Sequence, residues 1–421
     1  MYQVATKCSD SCRIQPYAKI VSRVMTTNNK TDLLIRGVAE VLPDKDSLAT
    51  LMDERPIKLY LGIDPTGALL HLGHAVVLRK LQQFADLGHE VILLIGNGTV
   101  KIGDPTGRDE SRPMLTDEEI ETNWQNWKEQ ASKVLDFSKI KVLRNGDWLD
   151  KLTYSDIVKL LAKTTVQQLL ERDMFQERLE QGKPIHGHEI IYPLLQGYDS
   201  VVMDVDLELG GTDQTFNMMM GRNLQKAYNN REKWVLTTPI IDGTDGRKMG
   251  KSFNNYVSLT EEPTQMFGKL MSIKDELIVQ YLTLLTNLPT EEIAQIELQM
   301  TQGENPMTFK KQMAHLITSE LHNTKEADQA QAHFEKTVQA DQLPSEIPSV
   351  LLQRSTIKVL ELLQQCQPEQ SNAQLKRLCE QGGVKLEPSA QKLDNYSAEI
   401  EVKSGQVIKI GKRNYYRIVI N

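Results

Sequence analysis

Two groups of residues in this chain have the types and spacing to handle a polyphosphate. The first is His71-Leu-Gly-His74, two imidazoles three positions apart with a glycine between them. At a helix start, both rings would lie beside backbone N–H groups that lack intrahelical partners, at the positive end of the helix dipole. A phosphate is the natural guest there. Gly73 leaves room for a flat ring such as a purine against the backbone. The second group is Lys248-Met-Gly-Lys-Ser252, in a Gly- and Asp-rich loop after Pro239-Ile-Ile. Two lysines around a small flexible residue suit a mobile clamp on phosphates. Each group alone has a plain alternative, a turn for the histidines and a solvated loop for the lysines.

A third group is Tyr192, Gln196 and Asp199, whose spacings of four and three share one helix face. A tyrosine, an amide and a carboxylate make a poor core and a good polar pocket wall. The apolar neighbours Ile190, Ile191, Leu194 and Leu195 argue against a solvated face. Gly210-Gly-Thr-Asp-Gln214 aims Asp213 and Gln214 from a glycine turn. His186-Gly-His188 lacks a convergent Cys or Asp partner and reads as helix-start polarity, so no protein-held metal is expected.

The elements that must position these groups follow from periodicity. Lys58-Leu-Tyr-Leu is strand-like, Pro65 and Gly67 punctuate a turn, and apolar residues recur at helical spacing from Leu70 to Leu87. Gly88 supplies a stop. Val91-Ile-Leu-Leu-Ile95 is apolar on both faces, as a parallel strand between helices is. This is the first crossover of a doubly wound α/β domain, with a ligand expected at the carboxyl ends of its strands. Residues 31–55 read as two short helices, with Asp32 as an N-cap and Pro43 ending the first. Residues 97–108 form another turn-rich strand end, with Arg108 and Arg112 in a polar loop able to reach a pyrophosphate. From Asp117 to about Gly182 the pattern is helical, anchored by Trp124, Trp127, Val134 and Leu135, then by Leu160, Leu161, Val166, Leu169 and Leu170. Val201 to Leu209 reads as a strand, and Met218 to Met220 as the core face of a helix. Residues 262–342 are helical again, and Pro344, Pro348 and Ser349 mark a linker.

Together, and in this order, His71-Leu-Gly-His74 and Lys248-Met-Gly-Lys-Ser252 resemble the HIGH and KMSKS signatures of class I aminoacyl-tRNA synthetases. Gly250 departs from the usual serine, which loosens the loop and keeps both charges. Tyr60-x-Gly-x-Asp-Pro-Thr66, Ile102-Gly-Asp-Pro-Thr106, Tyr192-Pro-Leu-Leu-Gln-x-Tyr-Asp199 and Gly210-Gly-Thr-Asp-Gln214 narrow the resemblance to bacterial-type tyrosyl-tRNA synthetase, from about residue 30 to the C-terminus. The resemblance implies a Rossmann-like doubly wound catalytic domain over residues 31–260, with a helical connecting insert at about 117–185 that the family uses for its dimer. It further implies a helical anticodon-stem-binding domain at 261–343, a linker at 344–354, and a small α+β S4-like RNA-binding domain at 355–421.

The implied reaction joins L-tyrosine to ATP as tyrosyl-adenylate, releases pyrophosphate, and passes tyrosine to tRNA(Tyr). ATP with Mg²⁺ is then substrate, and no organic cofactor is needed. By the resemblance Thr66, His71, His74, Lys248, Lys251, Ser252, Arg108 and Arg112 serve the phosphates. Gly73, Gly211, Asp213 and Met249 bind the nucleotide. Tyr60 and Asp199 flank the phenol oxygen; Asp104, Tyr192 and Gln196 hold the α-ammonium; Gly62, Asp64 and Gln214 complete the pocket. Lys376 and Arg377, on a short helix before a Gly-Gly turn, and Lys412 and Arg413, among aromatics, face RNA. A tryptophanyl enzyme is the nearest rival, opposed by Tyr60 with Asp199 and by the C-terminal module. A catalytically retired RNA-binding paralogue is opposed by the intact histidines and lysines.

Composition agrees with an acidic catalytic body. From Thr356 onward there are ten Lys/Arg and seven Asp/Glu, whereas the whole chain of 421 residues carries a net charge of −7. The cationic end suits a nucleic-acid-facing module. Cys8, Cys12, Cys366 and Cys379 have no zinc spacing and suit a reducing compartment, the cytoplasm. No apolar run approaches a membrane span. Near the N-terminus Lys7, Arg13, Lys19 and Arg23 face one acid, Asp10. That bias fits an organellar transit peptide, or an upstream extension with translation starting at Met25, the preferred reading. Residues 1–30 are expected to be disordered.

Overall fold

The structure, a computed structural model, describes residues 30–67, 69–106, 115–339, 347–387, 391–411 and 414–420. The expected extension therefore lies almost wholly outside the described residues. The chain divides into two compact units, residues 1–328 and 329–421.

The first unit is built on a six-stranded sheet of β1 (Glu40–Leu42), β2 (Lys58–Ile63), β3 (Glu90–Ile95), β4 (Ile140–Arg144), β5 (Leu207–Gly211) and β6 (Trp234–Thr238), in the order β1-β6-β5-β2-β3-β4. All pairings are parallel except that of β1 with β6. The chain leaves β2 toward β3 on one side and returns on the other side as β5, so a crevice opens at the carboxyl end of β2. Leu59, Tyr60 and Leu61 of β2 and Val91 to Ile95 of β3 are buried, as strands covered on both faces require. The helix Leu72–Asp86 buries Leu72, Ala75, Val76, Leu78, Leu81, Phe84 and Ala85 on its sheet side. Gly88, at φ +83°, ends it in a backbone conformation that L side chains rarely adopt. The long helices Gly187–Met203 and Thr215–Asn229 meet at glycines: a Cβ on Gly197 would stand 3.0 Å from the backbone nitrogen of Gly221.

Three expected elements differ. Residues 31–55 are not two helices. A four-residue helix, Lys30–Leu33, contains Asp32 rather than being capped by it, and β1 precedes the helix Lys45–Glu54, which Asp44 caps. A three-residue edge strand has no period to read, and backbone pairing with β6 decides it. The helical pattern of 117–182 is interrupted by β4, which pairs along β3 after the helix Asp117–Ala131. Val201-Val-Met203 belongs to the helix Gly187–Met203, which stops where Asp204 turns left-handed at φ 48°; β5 begins only at Leu207. Val201 is half-buried and Val202 exposed in that helix, but two adjacent β-branched residues imitate a strand in sequence. Of the expected anchors, Trp124, Trp127, Leu135, Leu160 and Leu169 are buried, whereas Leu161 and Val166 are exposed.

Helices from Pro263–Leu270 to Pro306–Leu321 complete the first unit, with Tyr281, Leu282 and Met313 buried. The second unit holds a sheet of β7 (Ser349–Leu352), β9 (Val384–Glu387), β10 (Gln391–Lys392), β12 (Val407–Ile410) and β13 (Asn414–Ile420), ordered β10-β9-β12-β13-β7. Beside it, β8 (Thr356–Lys358) pairs with β11 (Glu399–Glu401). The helices Val359–Cys366 and Asn372–Glu380 share one core with these strands, including Leu362, Leu363, Leu375, Ile408 and Ile410. No helix among the described residues is long and apolar enough to cross a membrane.

Candidate active site

The two phosphate-type motifs, far apart in sequence, meet beyond the carboxyl end of β2. His71 caps the helix Leu72–Asp86. Its Nδ1 accepts from Gly73 N at 3.2 Å, and Nδ1 of His74 accepts from His71 N at 3.2 Å. A ring nitrogen that accepts carries no proton, so each imidazole keeps its hydrogen on Nε2 and can donate it. Burial first, then His74 and Lys251, push His71 down to about 2; burial and Lys251 push His74 down to about 4. Both are neutral donors at physiological pH. A Cβ at Gly73 would come within 2.9 Å of the His71 ring, so glycine keeps the cap geometry.

The lysine loop is joined to this helix start by Leu72 N donating to Val257 O at 3.0 Å and Leu259 N to Leu70 O at 3.1 Å. Lys251 opens a short 3₁₀ turn with Ser252 exposed on it, and its Nζ lies 3.2 Å from the Cβ position of Gly67, next to exposed Thr66. Lys248 donates to Asp213 Oδ2 at 2.9 Å, across to the glycine turn after β5. Met249 is buried and bonds Ile241 O through its backbone. A Cβ on Gly211 would crowd Asp213 at 2.6 Å. The sequence reasoning missed Asn255, which holds the loop's shape: it is buried and bonds Gly250 N, Asp245 and the carbonyls of Arg247 and Lys248.

Polar side chains gather on the other side of β2. Asp64 accepts from Thr99 Oγ1 at 2.7 Å and from Tyr192 OH at 2.8 Å. Asp104 accepts from Gln214 Nε2 at 2.8 Å. Gln196 donates to Glu208 at 3.1 Å. Burial, then Asp64, holds the Tyr192 phenol well above its ordinary value. Gly62, at the end of β2, is exposed. Asp199 and Tyr60 are both buried but bond other groups. Asp199 accepts from Trp148 Nε1 at 2.8 Å and Asn145 Nδ2 at 3.0 Å, while Tyr60 OH pairs with Ser200 Oγ at 2.9 Å. Burial raises the Asp199 carboxyl well above its usual range. Arg172, also missed, is buried between Phe175 and Phe216 and donates to Thr106 Oγ1 at 2.6 Å, beside Asp104. A signal for Glu208 existed: a lone acid in the apolar strand Leu207–Gly211 needs a buried partner, here Lys233.

In the second unit, Lys376 lies 5.0 Å over the Tyr396 ring and Arg377 is exposed. Arg108, Arg112, Lys412 and Arg413 lie outside the described residues.

Residues 52–339 match the family described as tRNA synthetases class I (W and Y). Over 396 residues the chain is 42% identical to a tyrosine–tRNA ligase of Thermotoga maritima, covering 94% of this chain and 98% of that one. It is 43% identical over 404 residues to one of Symbiobacterium thermophilum, at 94% and 98% coverage. The fold is shared with a C-terminally truncated mitochondrial tyrosyl-tRNA synthetase of Aspergillus nidulans, at a TM-score of 0.63 and 21% identity over 76% of this chain and 98% of that one. The helix-capping histidines, the lysine loop tied to them and these relatives agree: the chain belongs to the bacterial-type tyrosyl-tRNA synthetases, in class I.

Proposed function

We propose that the chain activates L-tyrosine with ATP, releasing pyrophosphate, and transfers the tyrosyl group to the 3′ end of tRNA(Tyr). The observation that carries this is the meeting of the two motifs at one helix start, with Lys251 beside the Gly67 turn and close enough to lower both histidines. In the first step a carboxylate oxygen of tyrosine bonds to the α-phosphorus and the bond to the β-phosphate oxygen breaks. The nucleophile is already an anion, so the site needs position and charge stabilisation rather than a base. His71 and His74 donate Nε2–H to the nucleotide, and Thr66, exposed on the turn before Gly67, joins them. Lys248 and Lys251, with Ser252, follow the departing pyrophosphate, and Arg108 and Arg112 serve the same phosphates. Gly73, Gly211, Asp213 and Met249 frame the nucleoside. Mg²⁺ would arrive with ATP, held mainly by its phosphate oxygens.

Asp64, Asp104, Tyr192, Gln196 and Gln214 receive the amino-acid backbone, and Tyr60 and Asp199 the phenol. The second unit, as an S4-like module with Lys376, Arg377, Lys412 and Arg413, meets tRNA, and the helices of residues 261–343 the anticodon stem. Exposed Tyr154, Val158, Leu161 and Val166 suit an interface with a second copy within the 117–185 insert. The few cysteines suit the cytoplasm. The test is amino-acid-dependent ATP–pyrophosphate exchange with tyrosine, tryptophan and phenylalanine in parallel. Exchange with tyrosine alone is expected; none with any of them, from folded protein, refutes the assignment.

A further inference from the structure

We infer that Lys233, acting through Ser200, fixes the Tyr60 hydroxyl as a hydrogen-bond donor toward the substrate phenol, so that both are positioning residues for choosing tyrosine over phenylalanine. This rests on the function proposed above. Tyr60 is fully buried in β2, its ring among Ile92, Leu94, Met203 and Val205. Its hydroxyl lies 2.9 Å from Ser200 Oγ, itself fully buried. Lys233, just before β6 and also without solvent exposure, donates to Ser200 Oγ at 2.8 Å and pairs with Glu208 of β5. Its ammonium stands 5.8 Å over the Tyr60 ring.

The hydrogens can be assigned from chemistry. An ammonium has donors alone, so Ser200 accepts from Lys233. The single hydroxyl hydrogen of Ser200 has two acceptors in reach, Glu208 Oε2 at 3.5 Å and the Tyr60 oxygen at 2.9 Å. The shorter is the better bond, and that Glu208 oxygen already takes the lysine, while its other oxygen takes Gln196. Ser200 therefore gives its hydrogen to Tyr60, and the hydrogen of Tyr60 is left for a ligand oxygen. Bonds running in one sense polarise one another. A tyrosine phenol accepts at the end of this chain; phenylalanine leaves the last donor unpaired in a dry pocket.

The packing around the pair is built for it. A Cβ on Gly221 would lie 2.5 Å from Lys233 Nζ, 2.7 Å from Ser200 Oγ and 3.2 Å from Glu208 Oε2, so the helix Thr215–Asn229 carries a glycine where the ion pair needs space. A well-packed apolar pair would hold the fold at least as well as a buried ion pair, whereas an apolar pair cannot orient a hydroxyl.

The experiment is Ser200→Ala, which cuts the relay and keeps the ion pair, assayed by ATP–pyrophosphate exchange with tyrosine and with phenylalanine. The tyrosine kcat/KM falls about tenfold, that for phenylalanine holds, and KM for ATP does not move. In a Tyr60→Phe background the same change adds nothing, because both act through one bond. Equal losses for the two amino acids, an unchanged ratio, or additivity with Tyr60→Phe overturn the inference. Failure of the underlying function would show separately, as absent tyrosine exchange in the unaltered enzyme.

Discussion

Gly96→Ala tests whether Asp64 organises the amino-acid end of the site. Gly96 is buried just after β3, and a Cβ there would overlap the Asp64 carboxylate and lie 2.5 Å from Thr99 Oγ1. The backbone cannot withdraw easily, because Gly96 N donates to Ile63 O at 2.9 Å and Gly96 O accepts from Val100 N at 2.9 Å. The carboxylate must therefore rotate away and give up its bond from Tyr192, its bond from Thr99, or both. A hydrogen bond to a charged group contributes about 1.5–3 kcal/mol, and each 1.4 kcal/mol is about tenfold. Losing one bond raises KM for tyrosine about 10- to 100-fold, with KM for ATP nearly unchanged. The assay is steady-state exchange with tyrosine varied at saturating ATP, alongside a thermal melt to check folding. The Gly96→Ala/Tyr192→Phe double variant should cost little more than the worse single. Equal rises in the two KM values, or full additivity, would refute a role through Asp64.

Three more outcomes are expected. Lys248→Ala with Lys251→Ala slows adenylate formation at least 100-fold, on the order of losing two charge contacts to the transition state, while tyrosine binding by equilibrium dialysis changes little; parallel loss of both sinks the clamp. His71 and His74 have folded values of about 2 and about 4, below the ordinary 6.5. The unfolded chain thus binds protons that the folded site refuses, so their contribution is whole above pH 6.5 and is lost as pH falls, by about 1.4 kcal/mol per histidine per unit. Urea unfolding at pH 7.5 and 5.5 should show a steeper loss for the unaltered protein than for His71→Asn/His74→Asn, and identical slopes would contradict the neutral-donor geometry. Deleting residues from about 355 onward should abolish tRNA charging and spare pyrophosphate exchange; loss of both would make that segment a support for the fold.

Much of the fold was legible because its central strands are covered on both faces. Val91 to Ile95 could be read as a buried parallel strand from composition alone, and Gly88 as the stop before it. The edge strands β1 and β4 were not, because they are short, partly exposed, and decided by pairing with residues far along the chain. The site was legible where chemistry sits on a turn: His71, His74, Lys248 and Lys251 converge. It was illegible where a charge hides in an apolar element. Lys233 and Arg172 look like ordinary surface residues in one dimension, and only the packing shows each to be buried; Glu208 alone carried a signal, as a single acid in an apolar strand. Asp199 and Tyr60 show a different limit. Helical spacing sets Asp199 on a polar face and the family resemblance implies Tyr60 beside it, but neither says that Trp148, Asn145 and Ser200 bond their polar atoms.

The state of Lys248 bears on how such a loop can be both loose and effective. Its ammonium is about half exposed and bonds Asp213 Oδ2, itself partly exposed, at 2.9 Å. A pair of that kind is worth at most about 1 kcal/mol, so releasing it costs little. In the proposed reaction the charge on the leaving pyrophosphate develops beside two partly buried imidazole donors, in surroundings where an ammonium counts for more than at the surface. On the proposed function the lysine would exchange a weak ground-state partner for a strong one that exists only as the bond breaks, which would raise kcat instead of merely tightening ATP. Gly250, which replaces a serine of the family pattern, adds freedom at the hinge of this exchange, and Asn255 confines it by tying Gly250 N and the carbonyls of Arg247 and Lys248 to one buried side chain. The backbone of the loop is held while the lysine side chain is left free to change partners.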